Sequence, residues 1–235
     1  MTHILEDVKL RFAKWRTRRR DASDSGDCDA SWPGVHAAAA SGTADVATKQ
    51  IIQSSQGGTL ALAIAMLEDA TLSADYPFGD GKAGWAANFG IFKMNWFMIC
   101  QCPTAARLIA PDFVFTGTST EANGRIGEVA LCELNRVGTI INGDAGLATA
   151  ILKEAMARWS IAEPIVGDLG NFWAGHRWGE SGLRNLSPHK DWPLGRMWPD
   201  IQLYYRSVQW AKHMCDHDPR VWTTPVRYGA IVPPV

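Results

Sequence analysis

Two carboxylates lie twelve positions apart in contrasting surroundings, Glu68 and Asp80. TLALAIAMLED carries no polar side chain from Leu60 to Leu67, so the sequence predicts a buried helix that delivers Glu68 from its packed end. A low dielectric there favours the protonated acid. In YPFGDGKAG, Gly79 and Gly81 flank Asp80 and predict a tight, solvated turn in which the carboxylate stays ionised. One carboxyl kept neutral and one kept charged is the division of labour that glycosidic bond cleavage needs. Either residue alone has an ordinary structural reading, a solvated helix end for Glu68 and a plain Asp-Gly turn for Asp80, so the context has to decide.

That context is AANFGIFKMNW, which sets Asn88, Lys93 and Asn95 among Phe89, Phe92 and Trp96. Amides hydrogen-bond sugar hydroxyls and aromatic faces stack on sugar C–H faces; packing alone would not require the amides. Farther on, His176, Arg177 and Glu180 stand beside Trp173 and Trp178. His176 could orient a sugar, assist proton transfer, or pin a loop through backbone hydrogen bonds.

At Glu68, DGKAG (80–84), NFGIFKMNW (88–96) and GHRWGESGL (175–183) the sequence resembles glycoside hydrolase family 134, over about residues 57–230. The resemblance implies an endo-β-1,4-mannanase with a lysozyme-like fold and an inverting mechanism. Glu68 would be the general acid and Asp80 the general base, with Lys82 holding Asp80 ionised. Asn88 would bind substrate or position the water. Phe89, Asn95, His176 and Arg177 complete the expected substrate-binding set. Trp85 and Met94 stand where the family is expected to carry polar residues.

Composition agrees with one catalytic domain. A length of 235 residues with 46% hydrophobic content is enough for a single core. A formal net charge of −1 argues against a nucleic-acid surface, which is ordinarily basic. No run approaches the roughly 18 apolar residues of a membrane span. Eleven tryptophans leave some to serve as sugar platforms and most to fill the core. The cysteines, Cys28, Cys100, Cys102, Cys132 and Cys215, are odd in number and match no zinc spacing, so free buried thiols are expected and neither metal nor other cofactor is.

Residues 1–27 read as a basic amphipathic helix and linker without the apolar stretch of a secretory signal, followed by a glycoside hydrolase domain over 28–235. A helix is predicted across VHAAAASGTADVATKQIIQSSQGG, ending at Gly57 and Gly58, and Thr59 is the expected N-cap of the helix bearing Glu68. Residues 75–88 read as an irregular hairpin and 90–100 as a buried helix. Two more helices, near 127–141 and 145–159, meet at Asn142-Gly143-Asp144. Residues 171–200 read as a long loop. A last helix covers 200–213 with Ile201, Tyr205, Val208 and Lys212 on one face, and an extended tail straps the body.

The expected fold class is therefore α+β, a mostly helical lysozyme-like domain with a small hairpin after the helix carrying the catalytic glutamate. The expected activity is inverting hydrolysis of internal β-1,4-mannosidic bonds in mannan, glucomannan or galactomannan by a monomer. Two alternatives share the groove: a lysozyme- or chitosanase-like hydrolase of an amino-sugar polymer, and a non-catalytic glycan-binding domain. Location is extracellular by the resemblance, and cytoplasmic otherwise.

Overall fold

The structure, a computed structural model, describes residues 36–38, 44–111, 120–159, 172–177, 179 and 199–231; the basic segment and linker predicted at 1–27 lie outside them. The described residues are mostly helical, with two small antiparallel strand pairs among them.

The organising element is the helix Gly58–Glu68 (α2), in which Ala61, Leu62, Ala63, Ile64, Ala65 and Met66 are all buried. Because it is apolar all round, it needs neighbours on every side. The helix Val46–Ser54 (α1) precedes it, with the Asp45 side chain accepting from Thr48 N at 2.7 Å as N-cap. The long helix Pro199–His217 (α8) provides the most extensive contact with α2. Between these in sequence run the short helices Trp96–Ile99 (α3) and Pro103–Ile109 (α4), the helices Thr120–Gly143 (α5) and Ala145–Arg158 (α6), and a short helix over 172–177 (α7). Asp144 caps α6 by accepting from Leu147 N at 2.9 Å.

Several boundaries differ from the sequence expectation. His36–Ala38 is a strand, β1, paired with Gly229–Ile231, β4, and not the start of a helix. The alanine run has no period of its own, and a partner far along the chain settles its conformation. Gly57 is the N-cap of α2; the Thr59 hydroxyl donates to Asp216 Oδ1 at 2.5 Å. Residues 75–88 hold no strand pair but two 3-10 turns, Phe78–Gly81 and Gly84–Ala86. The hairpin comes after them, Asn88–Phe89 (β2) against Met94–Asn95 (β3), and the helix starts only at Trp96. Gly90 (φ +71) and Lys93 (φ +45) are left-handed and bar a helix through the intervening turn. A helix also occupies 172–177 at the start of the predicted loop, while 180–198 lie outside the described residues. On α8 the buried face is Ile201, Tyr204, Val208, Ala211 and Cys215, so Tyr205 and Lys212 flank it.

The tail is extended and does strap the body as far as Ile231. Lys49, buried in α1, donates to the carbonyls of Thr224 and Val226, and Arg227 Nε donates to Met66 O at 3.0 Å. The latter bond holds the last turn of α2, two residues before Glu68. Cys100, Cys102 and Cys215 are buried free thiols, but Cys132 is exposed on α5; desolvation pushes the Cys215 thiol up to about 12.

Candidate active site

Glu68 ends α2, and the chain turns away from it around Asp69. The Asp69 carboxylate accepts from the backbone of Thr71 (3.0 Å), Leu72 (3.2 Å) and Ala74 (2.6 Å), an Asx-type turn. Leu72 and Ala74 are left-handed within it, at φ +62 and φ +51. Such conformations are costly for residues with a Cβ and persist where the surroundings over-determine them. The turn thus fixes how α2 stops and where Glu68 projects.

The Glu68 side chain is 12% exposed. His176 Nε2 lies 3.2 Å from its Oε1 and 3.0 Å from Tyr204 Oη, and Arg177 Nη1 lies 3.9 Å from the same Oε1. Burial pushes the Glu68 carboxyl up. The hydrogen bond and attraction of His176, the hydrogen bond of Tyr204 and the charge of Arg177 outweigh it, so the net direction is below the ordinary glutamate value. This corrects the expectation of a glutamate kept protonated by burial alone: the helix end is apolar, but α7 and α8 bring polar groups to it.

Asp80 occupies the 3-10 turn Phe78–Gly81 with φ +58, between left-handed Gly79 and Gly81. Aspartate tolerates this region better than most residues. Its side chain is 23% exposed. Lys93 Nζ donates to Oδ1 at 3.0 Å and Asn88 Nδ2 to Oδ2 at 3.1 Å, while Lys82 stands 4.0 Å from Oδ2. Partial burial raises the carboxyl, and Lys93, Asn88 and then Lys82 carry it below the ordinary range. The ionised state expected from the turn is the one these contacts favour, but Lys93, and not Lys82, is the closer partner.

Tyr76 lies within the electrostatic reach of both carboxylates. Its hydroxyl donates to Gly90 O at 2.7 Å, its ring carries Lys93 Nζ at 4.6 Å from the centroid, and burial, with the negative field of Asp69, Asp80 and Glu68, raises its phenol far above the ordinary value. One neutral tyrosine therefore sits within the field of both candidate catalytic groups and helps hold the lysine that serves Asp80.

Residues 46–122 match glycosyl hydrolase family 134. Both carboxylates, the hairpin and Lys93 lie within the matched segment; His176, Arg177 and Tyr204 lie beyond it. No curated protein matches the chain. The family 134 match supports a glycoside hydrolase, and with it a polysaccharide substrate.

Of the substrate-binding set expected from the sequence, Lys82 is exposed beside Asp80, Arg177 is exposed beside Glu68, and Asn88 faces Asp80. Three others are buried. Phe89 is 1% exposed, edge-on to Phe78 and Trp96, and fills the space that Gly138 leaves, where an added Cβ would come within 2.4 Å of its ring. Asn95 is buried; its amide donates to Gly175 O at 2.7 Å while its oxygen caps α3 by accepting from Met98 N. The His176 side chain is 1% exposed and lies against Glu68. Of the two positions where polar residues were expected, Met94 is buried in the hairpin, whereas Trp85 is partly exposed and packs edge-on against Phe97. Sequence reasoning passed over Phe78, which is 46% exposed in the turn of Asp80, and Tyr204, whose helical register gave no sign of its role.

Proposed function

We propose that this protein is an inverting endo-β-1,4-mannanase, cleaving internal links of mannan, glucomannan or galactomannan outside the cell. The observation that carries the reading is the placement of Glu68 and Asp80 within the family 134 segment, one at a buried helix end and the other in a half-buried, cation-paired turn. Glu68 donates a proton to the glycosidic oxygen as the C–O bond breaks. Asp80 removes a proton from a water that attacks the anomeric carbon from the opposite face, so the configuration inverts. A carboxylate has about four lone-pair directions, and Asp80 keeps capacity for that water beside Lys93 and Asn88.

Glu68 must be protonated to begin the cycle. Sugar rings covering the cleft deepen desolvation, the one influence that raises this carboxyl. Phe78 offers a half-exposed ring beside Asp80, held from behind by Phe89 at 5.1 Å, and serves as a stacking face.

Incubation with mannan, chitosan and peptidoglycan, followed by product sizing and NMR of the first product, tests the reading. Short oligomers from mannan alone, released as the α-anomer, are expected. Initial β-anomer removes the inverting assignment, and cleavage of only an amino-sugar polymer replaces the substrate.

A further inference from the structure

His176 is more constrained than a loop ligand needs to be. Phe172, four residues earlier on the same helical face, stacks on its ring at 5.5 Å and 10°. Tyr204 closes the other side, its ring 5.5 Å away and its hydroxyl 3.0 Å from Nε2. Trp173, itself buried, packs edge-on to Tyr204 at 5.9 Å. Nδ1 is buried and has no hydrogen-bond partner among the described residues. A proton on Nδ1 would be a buried, unpaired N–H, so Nε2 is the ring nitrogen placed to donate toward Glu68. The contacts of His176 and Arg177 to Glu68 both end on Oε1.

We propose that His176, clamped between Phe172 and Tyr204, is a positioning residue that holds Glu68 by Oε1 and so assigns the catalytic proton to Oε2. The inference rests on the reading of Glu68 as the general acid. In the reaction the Oε2–H bond breaks, its electron pair stays on the carboxylate, and the proton goes to the leaving oxygen. Negative charge gathering on Glu68 is met at Oε1 by the Nε2–H donor and the Arg177 guanidinium, groups already in place before the reaction. Tyr204, whose phenol burial keeps neutral, shares the Nε2 proton and turns its own O–H toward Glu68. Among the described residues, the groups that face this carboxyl are His176 and Arg177 from α7, Tyr204 from α8 and, through its field, Tyr76 from the segment between α2 and β2.

The test compares His176→Leu, His176→Gln and Tyr204→Phe with the unaltered protein, by kinetics on a mannan oligomer and by ¹³C NMR titration of the Glu68 carboxyl, which needs no turnover. Removing a donor that lowers Glu68 should move its titration, and the alkaline limb of kcat/KM, to higher pH in His176→Leu and Tyr204→Phe. In His176→Leu, kcat should fall about 10²-fold, the low end of general acid assistance, with KM nearly unchanged; His176→Gln, which keeps an N–H donor near Nε2, should recover much of it. An unmoved Glu68 titration in folded Tyr204→Phe, or equal loss in the Leu and Gln variants, overturns the proposal. Glu68→Gln separates the two levels. If that variant keeps turnover, the general-acid reading fails with the proposal, whereas an inactive Glu68→Gln beside an unmoved titration removes only the role of His176.

Discussion

Lys93 reaches Asp80 at 3.0 Å from the far side of the β2–β3 turn, whereas Lys82, only two residues along the chain, stands at 4.0 Å. Lys82 is also the more exposed of the two, so water screens its charge. Holding Asp80 ionised is mainly the work of Lys93, oriented by the Tyr76 ring and by a left-handed backbone that turns it inward.

Lys93→Met is therefore expected to impair turnover far more than Lys82→Met. Losing the donor raises the Asp80 carboxyl, and because the base must be ionised to act, the acid limb of kcat/KM should move to higher pH. The two profiles measured side by side decide the matter: equal behaviour of the variants would return the role to Lys82.

Phe89→Ala is expected to cost about 3–5 kcal/mol of stability, the usual range for emptying a buried aromatic site, because the ring fills the notch at Gly138 and braces Phe78 and Trp96. Chemical denaturation measures it. A variant of unchanged stability and weakened substrate use would restore Phe89 as a sugar ligand.

Phe78→Ala should do the reverse. The ring is half exposed and contributes little to the core, so the midpoint of unfolding should change little. KM for a mannan oligomer should rise several-fold if losing a stacked sugar costs about 1 kcal/mol, the scale of an aromatic contact. An unchanged KM would leave Phe78 as an incidental surface residue.

These contrasts show which parts of the site were legible in the sequence. The helix end at Glu68 and the tight turn at Asp80 could be read because each depends on local pattern: an unbroken apolar run, and glycines on both sides of an aspartate. The break between α5 and α6 at Asn142-Gly143-Asp144 was legible for the same reason. What failed was the assignment of side chains whose partners lie far away in the chain. Asn95 and Asn88 have the same chemistry, yet one caps a helix and ties down Gly175 while the other serves Asp80. The stretch 90–100 is apolar throughout, so its periodicity could not tell a turn and strand from a helix; two left-handed residues decided it. Tyr204 looked like one more residue of a long helix until α8 packed against α2 and brought it to His176.

Both carboxyls of the proposed acid and base pair stand below their ordinary values in the free protein, and this fixes the expected pH dependence. kcat/KM reports the free enzyme: it falls on the acid side when Asp80 gains a proton and on the alkaline side when Glu68 loses one. With Glu68 lowered, the alkaline limb should lie in the acid range and kcat/KM should already be declining well below neutrality. At saturating substrate the limb should move to higher pH, because a filled cleft desolvates Glu68 further. Stability runs the other way. A carboxylate whose folded value is depressed contributes stability that is fully present above its unfolded pKa and lost as pH falls through its folded pKa. Glu68, Asp80, Asp216 and Asp218 are all lowered, so the protein should lose stability across the acid range in which the free enzyme gains its active protonation state. Initial rates at low and saturating substrate, measured beside melting temperatures over the same pH series, test both trends. A kcat/KM optimum at or above neutral pH would show that Glu68 holds its proton in the free protein and that the influence of His176, Tyr204 and Arg177 is weaker than burial.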